Sequence, residues 1–199
     1  MRVVRHLAPE DAEAFRKIRL EALRLHPDAF GSVYEAEVVE TGSDFGAKIE
    51  RGCVFGGFVD RRLEGMAGFS VSGAVQLRHK GTLGGMYVRE AQRGSGLAEA
   101  IVDAVLAHAR EGVEQVQLSV AATNDRAIRF YRRLGFEAYA TEPRALKVGQ
   151  RYIDELLMVR FLDEGLTAAA RDGAAVRRSA PRNTGRSNLS KEQRNYGRF

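Results

Sequence analysis

Apolar positions along this chain switch between two periods. Alternation or short apolar runs mark Arg2 to Leu7, Cys53 to Asp60, Leu63 to Ser72, Gly81 to Val88 and Gln115 to Val120 as strands. A helical stripe of Ala12, Phe15, Ile18, Ala22 and Leu25 follows Pro9-Glu10-Asp11 and stops at Pro27. A second stripe, Leu97, Ile101, Val102, Val105, Leu106 and Ala109, predicts a helix from Leu97 to about Arg110. Asn124 to Leu134 predicts a third helix, ended by Gly135. Asp28 to Glu40 reads as irregular or partly helical. Cys53–Asp60 and Leu63–Ser72 read as a hairpin turning at Arg61-Arg62. Phe136 to Tyr139 and Ile153 to Phe161 read as late strands, separated by Pro143 and Gly149. The order implies a mixed α/β fold with a three-layer core, and not an alternating doubly wound sheet. There is no internal repeat.

Gly84-Gly85 interrupts the Gly81–Val88 strand, which suggests a bulge or a close backbone approach. Past that strand runs Arg93-Gly94-Ser95-Gly96-Leu97-Ala98, opening directly into the second helix. Strand, glycine loop and helix together present unpaired N–H groups and a partial positive charge to an anion. The dinucleotide fingerprint is not met, because Glu99 fills the third glycine position; G-x-x-x-x-G-K-[ST] is absent. R-x-x-G-x-A is met, by Arg93, Gly96 and Ala98. By itself the loop is equally well read as an unliganded strand-to-helix turn.

That loop resembles the pyrophosphate-binding motif of the GNAT superfamily of acyl-CoA-dependent N-acyltransferases. The downstream stretch from Val116 to Phe136 resembles the next unit of that superfamily: a strand, then Asn124, Ala127, Tyr131 and the exit Leu134-Gly135-Phe136. The resemblance covers roughly residues 2–161, fades between Val38 and Arg51, and is absent after about Glu164. It implies a central, mostly antiparallel twisted sheet, splayed at the cofactor site and flanked by helices. It implies acetyl-CoA as acyl donor and a primary amine as acceptor. Arg93, Gly94, Ser95, Gly96, Leu97 and Ala98 would hold the pyrophosphate, and Met86, Tyr87 and Val88 would pair the pantetheine arm like an added strand. Asn124 would contact the pantetheine or the acceptor side, although an Asn there also suits a helix N-cap. Ala127 would permit close approach of the cofactor. Tyr131 would protonate the departing thiolate, although its spacing with Ile128 and Leu134 also fits core packing. The segment Arg19 to Gly31 resembles the acceptor-side wall of some small-substrate members. The chain departs from the family pattern at Glu90, where many members have Pro, and at Ala98, where many have Gly.

No nucleophile–base pair is visible, so direct attack of the amine on the thioester is expected. Glu35, Glu37 and His79 are candidate general bases, as is a water chain. A non-catalytic CoA-binding sensor or interaction module of the same fold is the alternative.

Composition narrows the rest. Among 199 residues, Cys53 is the sole cysteine, which excludes an intrachain disulfide and a cysteine-based metal cluster. It opens an apolar run and reads as a small buried residue. The histidines, His6, His26, His79 and His108, are scattered along the sequence, and no metal is expected. The start of the chain lacks a secretory signal's apolar stretch and no run suits a membrane span, so a cytoplasmic location without membrane partners is expected. Residues 164–199 carry eight basic and three acidic residues, an excess equal to the whole chain's net charge of +5. The expected division is a catalytic domain over 1–163 and a basic, disordered tail over 164–199. The tail's aromatics are only Tyr196 and Phe199, so a solvated extension is favoured over a nucleic-acid anchor. A late strand edge could support a homodimer.

Overall fold

A computed structural model describes residues 1–162. The tail beyond lies outside the described residues. Seven strands form one sheet in the order β1-β2-β3-β4-β5-β7-β6. They are β1 (Arg2–His6), β2 (Cys53–Val59), β3 (Arg62–Val71), β4 (Lys80–Val88), β5 (Gln115–Ala121), β6 (Glu137–Val148) and β7 (Arg151–Phe161). Every pairing is antiparallel except β4 with β5. The helices are α1 (Ala12–Leu25), α2 (Tyr34–Glu37), α3 (Gly42–Arg51), α4 (Leu97–Ala109) and α5 (Asp125–Arg133).

Two cores sandwich the sheet, as the three-layer expectation requires. Leu97, Ile101, Val102, Val105 and Leu106 of α4 join Ile128 and Tyr131 of α5 on one face. Phe15, Ile18, Ala22 and Leu23 of α1 join Phe45 and Ile49 of α3 on the other. α4 lies close to the sheet because β2 and β3 present glycine beneath it. A Cβ at Gly57 or Gly65 would come within 2.7 Å of Ile101 Cδ1.

Two features of β4 create the site. First, it pairs with β5 only at Lys80–Gln115, Gly81–Val116 and Thr82–Gln117. Past Thr82 the parallel strands diverge, while β5 stays paired with β7 to Ala121. Second, Met66 faces Tyr87 while Gly68 faces Gly84, so Gly85 and Met86 together oppose Ala67. Gly85 takes φ +61°, a left-handed conformation that favours glycine. This is the bulge anticipated from Gly84-Gly85.

One element was not anticipated and two sequence expectations need correction. α3 lies where the family resemblance fades. Its Gly42, Ser43 and Gly46 are poor helix formers, but Thr41 caps it: the Asp44 N–H donates to Thr41 Oγ1, and the Thr41 N–H donates to Asp44 Oδ2. The strand expected at Phe136–Tyr139 runs on to Val148 as β6, while β7 begins only two residues before the expected Ile153. β6 accommodates Pro143 because it is an edge strand whose register shifts between Glu142 and Leu146. The β2–β3 turn falls at Asp60-Arg61, both with positive φ, and not at Arg61-Arg62.

Candidate active site

The gap between β4 and β5 opens into a cleft of about 710 Å3. One wall is Met86, Tyr87 and Val88; another is Asn124, Ala127, Phe130 and Tyr131 of the α5 unit; Arg93, Gly94, Gly96 and Ala98 form its end. Residues from both sequence motifs therefore meet in one place. Ser95 and Leu97 do not line it. Leu97 is fully buried beneath α4, and Ser95 turns its hydroxyl to the Leu97 N–H and its carbonyl to Arg2.

The loop leaves backbone donors free at the start of α4. Gly94 and Gly96 take φ +83° and +85°, and Gly96, at the N-cap of α4, has no side chain to bond the first turn. Among the described residues, the N–H groups of Gly94, Gly96, Ala98 and Glu99 find no acceptor. Unpaired N–H groups at a helix start attract negative charge. Arg93 braces the loop: its Nε donates to the Val88 carbonyl at 3.3 Å and its Nη2 lies 3.0 Å from His26 Nε2. Burial and then the Arg93 charge lower the His26 pKa, so its ring is neutral and accepts this bond. Arg126, Arg129 and Arg133 add positive charge along one face of α5. Their i, i+3, i+7 spacing was visible in the sequence, whereas the part played by His26 was not.

Asn124 Oδ1 accepts the Ala127 N–H at 3.1 Å, so this side chain caps α5 and also borders the cleft. Tyr131 packs edge-on against Phe130 and Phe136. Its hydroxyl takes no hydrogen bond among the described residues, and burial pushes its pKa up, which keeps the phenol protonated. Tyr87 lines the cleft but sends its hydroxyl to the α1 side, donating to Glu21 Oε1 at 2.9 Å; burial, then this contact, pushes its pKa up to about 12. Arg89 holds the same Glu21 carboxylate.

A second cavity of about 600 Å3 lies across β4, bordered by Phe15, Val33, Met66 and Gly85. It contains buried Arg19 and Glu37, joined by a two-pronged ion pair with contacts of 2.7 and 3.1 Å. Lys48 also reaches Glu37 at 3.4 Å. Burial raises the Glu37 pKa, but Arg19 and Lys48 outweigh it, and the net shift is downward. The other two candidate bases stand elsewhere. Glu35 is exposed and borders neither cavity. His79 precedes β4 at the end remote from the bulge, six residues or roughly 20 Å from Gly85 at strand rise. It borders neither cavity. The scatter of histidines in the sequence does not survive folding either: His6 and His108 meet beside Cys53.

Comparison with known proteins agrees with this geometry. No curated protein matches the chain significantly. An acetyltransferase of the GNAT family from Streptococcus pneumoniae shares the fold, with a TM-score of 0.73 at 19% identity, over 82% of this chain and 100% of that one. The yncA structure from Salmonella typhimurium, which holds its cofactor acetyl-CoA, has a TM-score of 0.73 at 22% identity, over 82% and 95%. A ribosomal-protein-alanine N-acetyltransferase from Brucella melitensis has a TM-score of 0.68 at 21% identity, over 80% and 99%. The family model described as acetyltransferase (GNAT) family matches residues 15–136. With both motifs lining one cleft and that match spanning most of the described fold, the chain belongs to the GNAT acetyltransferase family.

Proposed function

We propose that this protein moves the acetyl group of acetyl-CoA to a primary amine by direct attack. The observation that carries this reading is the splayed β4–β5 cleft ending on the unpaired N–H groups of the glycine loop. The cradle suits a pyrophosphate, and the free edge of β4 beyond Thr82 suits an extended amide-bearing arm. An acetyl-CoA thioester supplies an activated acyl carbon there. The remaining work is positioning, charge stabilisation and proton transfer.

The bulge at Gly85 separates the cleft from the second cavity, which is the acceptor's place in this reading. The amine nitrogen attacks the thioester carbonyl carbon, the C–S bond breaks, Tyr131 gives its proton to the departing sulfur, and the proton shed by the nitrogen as it becomes an amide restores the phenol through water. Glu37 is the one candidate base inside the acceptor cavity. Its ion pairs keep it charged, which suits attraction of a substrate ammonium more than proton abstraction, and the ammonium proton leaves through water. No covalent acyl-enzyme is needed: Cys53 borders neither cavity, and burial pushes its thiol pKa up to about 11.

Isothermal titration of acetyl-CoA and desulfo-CoA into the protein tests the reading. Saturable binding abolished by Gly96→Glu supports the loop assignment, and absence of binding by either cofactor overturns it. The alternative, a non-catalytic CoA-binding module, would bind CoA yet acetylate no member of an amine panel.

A further inference from the structure

At the opposite end of α4 from the glycine loop, three chain segments bring together side chains that the acyl-transfer chemistry does not use. His6 ends β1, Cys53 opens β2, and His108 lies in the last turn of α4. Their ligand atoms all lie within 4.8 Å of one another. Cys53 Sγ is 3.7 Å from His6 Nδ1. In a tetrahedral zinc site, bonds of about 2.3 Å to sulfur and 2.0 Å to nitrogen place those atoms about 3.5 Å apart. We propose that His6, Cys53 and His108 form a zinc site, with water completing the tetrahedron, that pins the C-terminal end of α4 to the β1–β2 edge.

The surroundings support this assignment. His108 sits edge-on to Phe69, with ring centroids 5.7 Å apart, and His6 tilts over Phe55 at 4.0 Å. Those contacts fix the ring positions. They leave the Cys53 sulfur 3.7 Å from Nδ1 and 3.9 Å from Nε2 of His6, with the His108 ring alongside. Cys53 is half-buried while His6 is exposed, so the cluster has a dry side and an entry side. The donor set is one soft sulfur and two imidazoles, which favours zinc over the oxygen-seeking magnesium and calcium. Binding displaces the thiol proton to solvent and leaves a thiolate on the metal. The sequence contains no second cysteine to compete for the metal.

Cobalt(II) titration of the full-length, tag-free protein tests the proposal. The expected result is a thiolate-to-cobalt charge-transfer band that saturates at one equivalent and is removed by zinc. Cys53→Ser abolishes the band, and His6→Asn weakens binding at least tenfold. His6 is exposed and serine replaces the half-buried Cys53 with a side chain of nearly the same shape, so these variants keep the fold, which circular dichroism checks. Zinc should also raise the melting temperature of the parent and leave that of Cys53→Ser unchanged, since binding to the folded state alone stabilises it. A spectrum without thiolate character, or zinc affinity indifferent to Cys53→Ser, overturns the assignment. Neither result bears on acetyl-CoA binding.

Discussion

Tyr131 and Glu37 show how a side chain's surroundings set its chemical role. Tyr131 is held protonated by burial, so it can give a proton but not take one at physiological pH. Tyr131→Phe should lower kcat by about 10²- to 10⁴-fold, the usual range for a general acid, while acetyl-CoA affinity stays near that of the parent. Equal loss of kcat and of binding would instead mark Tyr131 as a wall of the cleft. Glu37 answers the buried Arg19. Glu37→Ala would strand that guanidinium and should destabilise the fold by about 3–5 kcal/mol, measured by urea denaturation at neutral pH. The pH dependence has a defined sign. The Glu37 pKa is lower in the folded state than in the unfolded chain, so its contribution is complete above the ordinary carboxylate range. It declines as pH falls through the folded value. The gap in stability between parent and Glu37→Gln should therefore shrink on acidification below about pH 4.

Helix α3 and the α4–sheet contact carry the testable claims at the level of elements. Thr41 satisfies the first turn of α3, and Thr41→Ala should cost about 1 kcal/mol, or roughly 2–4 °C in melting temperature for a domain of this size. An unchanged melting temperature would mean that Phe45 and Ile49 alone hold the helix down. Gly57 lies under Ile101, where an added methyl would overlap the side chain. Gly57→Ala should cost about 1–3 kcal/mol as α4 is pushed from the sheet. Because α4 begins at the glycine loop, the same change should weaken acetyl-CoA binding. Retained affinity in the destabilised variant would show that the loop holds its shape independently of the helix behind it.

Across the whole molecule, both cavities and all the residues given chemical roles lie within 1–162. Deleting residues 165–199 should leave acetyl transfer intact, assayed as CoA release with an accepted amine. Loss of turnover with retained folding would place the tail at the active site. The tail carries the chain's excess positive charge, so the deletion should also reduce any non-specific, salt-sensitive association with polyanions.

The sequence by itself determined the helices with strong apolar stripes, the strands that line the site, the bulge at Gly84-Gly85 and the two motifs of the cleft. Each is a local matter: hydrophobic period, backbone freedom at glycine, or a cap. Even Asn124 was legible in both its possible parts, because capping and lining depend on one position. Only the tertiary structure decided which titratable groups became neighbours. His79 stands next to β4 in sequence yet lies at its remote end, and Glu37 gained its place through pairing with Arg19, 18 residues away. His26 met Arg93 across 67 positions, and Cys53 met His6 across 47. Electrostatic and coordinating partners act over a few ångströms of space, and the distance between them along the chain carries no sign of it. The extent of β6 was hidden for a related reason: a proline is tolerated where a strand forms the sheet's edge and the ladder shifts, and edge position is a property of the assembled sheet.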